Sequence, residues 1–409
     1  MPTRMIETML TIAIDARVFD GQAGGVQQAI LGLAMGLASL DDRGDRYLFL
    51  VHRNHDWLLP ALGGACRPLV VATERAPAGD ELSKALRYVI EGRGRILPKA
   101  DSVLPRAGVD VIHFMQQRGF RTDLPNIYQP HDLQHLEHPE RFHPLQRIYR
   151  SLAYRAMARQ ASKVAVMTSG VQGRTAAQLG VPASRVIVIP WASVMPLYGD
   201  ALIGREELAA RGLPDRFLLY PAQSWKHKNH ITLLRAVARL RATGVDVPIV
   251  LTGLQNAHWQ AVAREIRRLG VGDLVHHLGF VDTTMLRSLY AAADALVFPS
   301  LYEGWGLPVV EALDVGLPVL CSNISPLREI TGDAAARFDP TEPASIAEVI
   351  HRLWKDGAER DRLATAARGR RGAFSWTATA ALFRAHYRAV AGRPPIGEDA
   401  RLLSAPPLI

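Results

Sequence analysis

The sequence predicts an α/β protein with two doubly wound parallel sheets, and two observations carry that prediction. Short, continuously apolar segments alternate with stretches of helical periodicity along most of the chain, which is typical of parallel strands with helices on both faces of the sheet. The alternation stops at a polar connection near residues 192–215 and then restarts. A chain of 409 residues, 48% of them hydrophobic, can bury two cores, so we expect two domains of one class.

The predicted strands are apolar, β-branched segments bounded by turn residues. In the first half they are TIAIDARV, YLFLVH, VDVIHFM, NIYQP, KVAVMTS and RVIVIPW; in the second half they are FLLYPA, VPIVLTG, LVHHLGF, ALVFPS, PVLCSN and AARFDP. After the first strand, apolar residues recur at helical spacing and predict the first helix: Val26, Ile30, Leu33, Leu37 and Leu40.

Composition narrows the class of protein. Cys66 and Cys321 are too few for a disulfide framework or a cysteine metal site, which fits a reducing cytosol. The N-terminus does not resemble a secretory signal, and no segment is long and apolar enough to span a membrane. We expect a cytoplasmic protein, either free or peripheral on the inner face of the membrane. The net charge of +9 indicates an anionic partner without identifying it.

In open α/β sheets, ligands bind at the carboxyl ends of the strands, so the loop after ALVFPS is the first candidate site. Glu303 lies in its Gly-rich turn, and Pro308 is placed where the first turn of a helix tolerates proline. Glu311 lies about one turn into that helix. The free N–H groups of residues 304–307 would bind anions, and the carboxylates would accept hydrogen bonds from sugar or ribose hydroxyls. Alternatively, Glu303 only complements the helix dipole and Glu311 is solvated.

Two further loops follow strands. Lys226, His227 and Lys228 precede a predicted helix cap at Asn229, an arrangement that suits a diphosphate but also an ordinary solvated basic loop. The loop GQAGGV, residues 21–26, contains Gly25 and would allow a ligand to approach the backbone, although an ordinary tight turn has the same composition.

These loops together resemble glycosyltransferase family 4. The resemblance is carried by FPSLYEGWGLPVVEALDVGLPVLCSNISPLREITGDAAARFDP, with YPAQSWKHKNH and LGFVDTTMLRSLYAAADALVFPS before it. It implies a retaining, nucleotide-sugar-dependent enzyme of the GT-B fold, with two Rossmann-like domains facing each other across a cleft. The implied organisation is an acceptor-side domain over 1–195, a linker over 196–215, a donor-binding domain over 216–375, a terminal helix over 376–392 that crosses back to the first domain, and a loose tail over 393–409.

The resemblance also implies roles for individual residues. Glu311 would bind the ribose hydroxyls, and Glu303 would contact the donor sugar and stabilise positive charge at its anomeric carbon. Lys228 would bind the diphosphate. In YQPHDLQHLEHPERF, His131 would face the donor sugar, and Gly25 would lie near the phosphates.

Further donor contacts are implied for a set of backbone groups: Gly304, Trp305, Gly306, Leu307 and Val281, the last of them near the base. The sequence departs from the family where an arginine is usual, since Pro221, Ala222 and Gln223 occupy that region. We therefore assign the second phosphate-neutralising charge to Lys226. Because cations and a helix N-terminus are present and no Asp-x-Asp site is recognisable, we expect no metal and no cofactor.

The sequence gives less evidence about how the acceptor binds. Residues 141–174 contain seven lysines or arginines and no acid, interleaved with Tyr149, Leu152 and Tyr154. This pattern suits an anionic membrane surface and a lipid-linked acceptor, or simply the solvated face of a crossover helix.

The favoured function is transfer of a hexose, mannose from GDP-mannose, to a polysaccharide or lipid-linked glycan; UDP-hexose stays open as the donor. The mannose assignment rests on the similarity of the WKHKNH loop to bacterial mannosyltransferases. Alternatives are a GT-B epimerase or phosphorylase and, from another class, a non-catalytic nucleic-acid or membrane-binding protein. The low aromatic content of 7% disfavours nucleic acid as a partner.

Overall fold

The computed structural model describes residues 9–18, 24–40, 44–53, 55–71, 97 and 103–406. The chain divides into two compact units, one formed by residues 1–192 with 375–409 and the other by residues 193–374. Residues 196–215, expected to be a linker, lie in the second unit, where part of this stretch is helical. No described helix is long and apolar enough to cross a membrane.

The first unit contains a parallel sheet of seven described strands: β1 (Thr11–Asp15), β2 (Arg46–Val51), β3 (Cys66–Val70), β4 (Val111–Phe114), β5 (Asn126–Tyr128), β6 (Lys163–Val166) and β7 (Val186–Val188). Their order is β3-β2-β1-β4-β5-β6-β7, so the direction of winding reverses between β1 and β4. The helices described up to this point are α1 (Gly25–Ala38), α2 (Val103–Arg106), α3 (Gln134–Glu137), α4 (Pro144–Gln160) and α5 (Ser169–Leu179). Tyr154 and Met157 of α4 share a core with Val164 of β6.

Strand β3 was not predicted from the sequence. Arg67 and Pro68 interrupt its apolar run, and proline cannot donate a hydrogen bond to a strand ladder. Among the strands that the structure describes, β3 pairs only with β2 and is the outermost of the sheet, which is where proline is tolerated in strands.

The second unit contains a parallel sheet of six strands: β8 (Leu218–Pro221), β9 (Ile249–Thr252), β10 (Val275–His277), β11 (Ala295–Phe298), β12 (Val319–Ser322) and β13 (Ala335–Phe338). Their order, β10-β9-β8-β11-β12-β13, is the doubly wound Rossmann order. The helices are α6 (Arg205–Ala210), α7 (His230–Ala242), α8 (Trp259–Leu269), α9 (Thr283–Ala292), α10 (Leu307–Val315), α11 (Ser325–Thr331), α12 (Pro343–Lys355) and α13 (Gly357–Gly369). All six predicted strands of this half are present, and the predicted fold class is confirmed.

The chain ends in the first unit with α14 (Trp376–Val390) and α15 (Asp399–Ser404). Helix α14 packs against α1 at very short range, because glycines in α1 leave room for it. A Cβ at Gly36 would lie 2.2 Å from the carbonyl oxygen of Trp376. Phe383 and Tyr387 of α14 are fully buried.

The expected loose tail over 393–409 is wrong for the part that the structure describes, which ends at residue 406. Asp399 is fully buried and accepts hydrogen bonds from the Arg384 guanidinium at 2.9 and 3.2 Å and from the Ile396 amide at 2.8 Å. Proline-rich composition suggested a loose segment, whereas a buried charge pair fixes it.

Candidate functional site

Two site residues meet at the carboxyl edge of the second sheet. Lys228 ends a short 3-10 helix (Lys226–Lys228) after β8, and Glu303 lies in the loop after β11. Strands β8 and β11 are neighbours where the winding reverses, the usual ligand-binding position in such sheets. Lys228 Nζ lies 2.5 Å from Glu303 Oε1, an ion pair joining residues 75 positions apart.

The ion pair is largely shielded from water. The side chains of Lys228 and Glu303 are 17% and 11% exposed, and Lys228 Nζ lies 5.2 Å from the centre of the Phe298 ring. Charges in such surroundings interact more strongly than on an open surface, but each would be unfavourable there alone. An anionic ligand that reached Lys228 would therefore compete with Glu303 for the ammonium group.

The loop after β8 is held against the loop after β11 through its backbone. The amide of Leu301 donates to the carbonyl of His227 at 2.8 Å, and the Tyr220 hydroxyl donates to the carbonyl of Lys228. The position of Lys228 therefore depends on both loops.

Asn229 lies at the start of α7, but its side chain does not cap that helix as predicted. Its amide Nδ2 instead donates to the carbonyls of Pro299 at 3.0 Å and Pro340 at 2.7 Å. Its backbone is left-handed, with φ of 63°. His131 is the other non-glycine residue with positive φ in the described part of the chain. Such strained residues concentrate at functional sites.

Helix α10 begins beside Glu303 with an uncapped first turn. No side chain accepts hydrogen bonds from its N–H groups, and Pro308 occupies the first turn. The N-cap is Gly306, whose φ of 135° and close neighbour explain the glycine: a Cβ there would lie 2.6 Å from Leu327 Cδ2. The amides at Gly306 and Leu307 form a start of the kind that binds anions.

Glu311 is buried on α10 and only 5% exposed, so the alternative that it is a solvated surface residue is wrong. The Tyr290 hydroxyl donates to its Oε2 at 2.7 Å. Burial raises the pKa of Glu311 to about 7. A buried carboxyl group is suited to holding hydroxyl groups in a fixed direction.

The remaining predicted donor contacts differ in accessibility. Trp305 is 3% exposed and its ring packs edge-on against Phe374 at 5.3 Å, so only its backbone could contact a ligand. Gly304 precedes it in the same loop, and Val281 lies in the loop after β10. Lys226 is exposed. The pKa of His258 is lowered mainly by burial and, to a smaller extent, by the positive charge of Lys226.

In the first unit, His131 follows β5 and is held in one tautomer. Its Nε2 donates to the carbonyl of Met115 at 2.7 Å, which leaves Nδ1 as an acceptor with no hydrogen-bond partner in the described residues. Burial lowers the pKa of His131 to about 4, so the ring is neutral at pH 7.

Gly25 is the first residue of α1, and a Cβ there would meet nothing within 4 Å. Residues 21–23 of its loop lie outside the described residues.

A polar cluster at the reversal point of the first sheet was not predicted from the sequence. Asp15 ends β1, is 1% exposed, and accepts two hydrogen bonds of 2.8 Å from the Arg17 guanidinium. Gln116, which follows β4, reaches the same carboxylate at 3.4 Å. A charged residue at the very end of a buried strand was the available signal.

Helix α4 shows which part of the basic stretch faces water. Ile148 and Leu152, four positions apart, are 50% and 39% exposed, and exposed arginines occupy nearby positions 147, 155 and 159. Tyr154, predicted to interleave with these charges, is instead 3% exposed and packs edge-on against Tyr128 and His135. The outward face is therefore aliphatic and basic.

No group of three or more potential metal ligands occurs in the part of the chain that the structure describes. Independence from metals and cofactors stays a prediction.

Comparison with known proteins identifies the class. Residues 206–370 match the family Glycosyl transferases group 1. The chain is 28% identical over 274 residues to O-antigen chain mannosyltransferase B of Escherichia coli, covering 62% of this chain and 70% of that protein. It is 34% identical over 168 residues to MMP alpha-(1->4)-mannosyltransferase of Mycolicibacterium hassiacum, covering 39% of this chain and 40% of that protein.

Solved structures share the fold over nearly the whole length. Sucrose-phosphate synthase of Thermosynechococcus elongatus superposes with a TM-score of 0.71 at 21% identity, covering 94% of this chain and 99% of the other. Anabaena HepE, in complex with UDP and glucose, gives 0.67 at 19% identity, covering 92% and 98%.

The fold is therefore that of the GT-B glycosyltransferases. Residues 206–370 match a glycosyl transferases group 1 domain, and the comparisons indicate an enzyme of the hexosyltransferase class. The alternatives of an epimerase, a phosphorylase or a non-catalytic binding protein are not favoured.

Proposed function

We propose that this enzyme transfers mannose from GDP-mannose to a polysaccharide or lipid-linked glycan with retention of anomeric configuration. The observation that carries the proposal is the Lys228–Glu303 ion pair beside the uncapped start of α10. Two relatives named as mannosyltransferases support the choice of sugar. A fold neighbour bound to UDP and glucose supports a nucleotide-sugar donor, but it also makes UDP the main competitor of GDP.

The chemistry follows from charge. Departure of a nucleoside diphosphate develops negative charge on the leaving group, which needs neutralisation rather than protonation, and Lys228 with the first amides of α10 supplies it. When the diphosphate binds the ammonium of Lys228, the Glu303 carboxylate becomes free to stabilise positive charge at the anomeric carbon. Neither step calls on a metal, and we propose that none is needed.

Glu311 would hold the ribose. Its buried carboxyl group is kept in place by Tyr290, and Oε1 is the oxygen left for a hydroxyl. Ribose contacts are the same in the ground and transition states, so Glu311 serves binding rather than turnover.

The test is a thermal-shift panel of GDP, UDP and ADP, followed by anomer-resolved NMR of the product. A nucleotide at 100 times its dissociation constant stabilises the folded state by about 2.7 kcal/mol, a shift that is easily measured. We expect GDP to give the largest shift and GDP-mannose an α-linked product. A larger shift with UDP would replace the donor, and an inverted product would refute retention.

On the acceptor side, we propose that the Asp15–Arg17–Gln116 cluster binds acceptor hydroxyls. The outward face of α4 would lie on an anionic bilayer, because its arginines have no acidic neighbour on the helix and its two aliphatic residues could enter the interface. The enzyme would then work at the cytoplasmic face of the membrane. Co-sedimentation with phosphatidylglycerol vesicles, but not with phosphatidylcholine vesicles, should be lost in Ile148→Ser/Leu152→Ser; binding unaffected by these changes would refute this surface.

A further inference from the structure

An exposed apolar patch lies on the second unit, at the same sheet edge as the donor site. It consists of Trp225 after β8, Leu254 after β9 and Phe280 after β10, which are 51%, 43% and 68% exposed. Apolar side chains exposed singly are ordinary, but contiguous ones indicate an interaction site. None of the roles assigned above uses these three residues, which we call the aromatic platform.

The three loops of the aromatic platform are joined through their backbones. The amide of Ser224 donates to the carbonyl of Leu254 at 3.3 Å, and the amide of Gly253 donates to the carbonyl of Gly279 at 2.7 Å. Each of these contacts lies at or next to a platform residue. Since β8, β9 and β10 are neighbours and adjacent strands are about 4.8 Å apart, the three loops span roughly 10 Å.

Trp225 is held in a fixed orientation although half of it is exposed. Its indole Nε1 donates to Gln223 Oε1 at 2.9 Å. A ring that is already ordered loses little conformational freedom when a ligand stacks on it. A fixed, water-exposed indole is therefore suited to recognising a flat apolar surface.

The charge around the platform favours a neutral partner. Lys226 follows Trp225 directly and Asp282 lies two positions after Phe280, so the nearest charges in sequence are one of each sign. The outward face of α4, by contrast, carries three arginines and suits anionic lipid. Amide side chains flank the platform at Gln223 and Gln255 and can donate to and accept from hydroxyl groups.

We propose that the aromatic platform binds a neutral glycan chain. The rings of Trp225 and Phe280 stack on the C–H faces of pyranose rings, and the flanking amides bond to hydroxyls. The platform would hold the acceptor chain at a distance from the reacting sugar and keep it bound between transfers. The role of the platform in holding an acceptor rests on the proposed transfer to a glycan. Binding of a glycan to the platform can be measured without any donor.

The experiment is calorimetric titration of the full chain with mannotetraose, in the absence of nucleotide. We expect Trp225→Ala and Phe280→Ala each to weaken binding roughly tenfold, while Trp225→Phe, which keeps an aromatic face, stays within about threefold of the parent protein. Leu202→Ala is the matched control, because Leu202 is 53% exposed in the same unit but does not belong to the three platform loops, and it should leave binding unchanged. Unfolding curves and the GDP shift establish that each variant is folded.

Unchanged mannotetraose affinity in Trp225→Ala would overturn the proposal. So would displacement of mannotetraose by GDP, which would assign the platform to the donor site. Binding of phosphatidylglycerol vesicles that depends on Trp225, without mannotetraose binding, would make it a lipid surface and also overturn it. Platform-dependent glycan binding with no transfer from GDP-mannose would support this inference while refuting the proposed function.

Discussion

The reversal points of the two sheets both carry a carboxylate paired with a cation, but the pairs are built differently. In the first unit, Asp15 and Arg17 are two positions apart at the end of one strand. In the second, Lys228 and Glu303 come from loops 75 positions apart. A local pair can form whatever the rest of the sheet does, whereas the long-range pair couples two loops. A ligand that breaks the second pair therefore changes both loops at once.

The difference predicts the largest effect at Glu303. Glu303→Ala should lower kcat by about 10²-fold to 10³-fold, because charge at the anomeric carbon appears only in the transition state. Donor binding should not weaken, because the variant also lacks the carboxylate that competes with the diphosphate for Lys228. Glu311→Ala should mainly raise the donor KM. Steady-state kinetics on both variants checks this prediction. If Glu303→Ala lost as much donor affinity as Glu311→Ala and kept its turnover, the catalytic role of Glu303 would be refuted.

In the first unit the next largest effect is expected on stability, which depends on the close packing of helices α1 and α14. Gly36→Val would place a side chain against the carbonyl of Trp376, and we expect a loss of about 3 kcal/mol in the free energy of unfolding. Gly173→Val on α5 is the control, since a Cβ there meets nothing within 4 Å. Urea unfolding measures both; equal stability of the two variants would contradict the close α1–α14 packing.

The buried carboxyl of Glu311 makes the stability of the second unit depend on pH. The pKa of Glu311 is raised from 4.5 to about 7 in the folded state. The resulting contribution of this carboxyl group to the free energy of unfolding is therefore present in full below pH 4.5 and is lost as the pH rises through 7. The loss is on the order of 3 kcal/mol. Glu311→Gln should abolish it, so the variant gains stability relative to the parent between pH 5 and pH 8 in urea unfolding. Parallel pH profiles would show that Glu311 titrates normally.

The smallest effect is expected at the local pair. Arg17→Met should raise the KM for octyl α-mannoside as acceptor about tenfold, as expected for losing a charged hydrogen bond, and should leave the GDP shift unchanged. Arg287→Met, which removes the ion pair to Asp200 in the second unit, is the control and should leave the acceptor KM unchanged. A weaker GDP shift in Arg17→Met would refute an acceptor role.

Much of this arrangement could be predicted from the sequence. Continuous apolar runs specify buried parallel strands, and the twelve predicted segments all contain strands. The loops after β8 and β11 were recognisable because glycine, proline and charge follow directly on such runs. Strand β3 was missed because an edge strand needs no continuous apolar run.

What could not be predicted depends on contacts between distant residues. The Lys228–Glu303 pair requires the order of strands, which local periodicity does not contain. The buried pair of Arg388 with Asp45, at 2.9 Å, joins residues 343 positions apart and helps to hold the terminal helix. Tyr154 was grouped with the basic residues because its neighbours in sequence are charged, but its position on the helix directs it into the core.

The central claim is that Lys228 neutralises the diphosphate of the donor. Calorimetric titration of the parent protein and Lys228→Ala with GDP and with guanosine tests it most directly, because the two ligands differ only in the diphosphate. We expect Lys228→Ala to lose about 2 kcal/mol of GDP binding, in the range of a hydrogen bond to a charged group, and to bind guanosine as the parent does. Equal affinity of both proteins for GDP would contradict the claim.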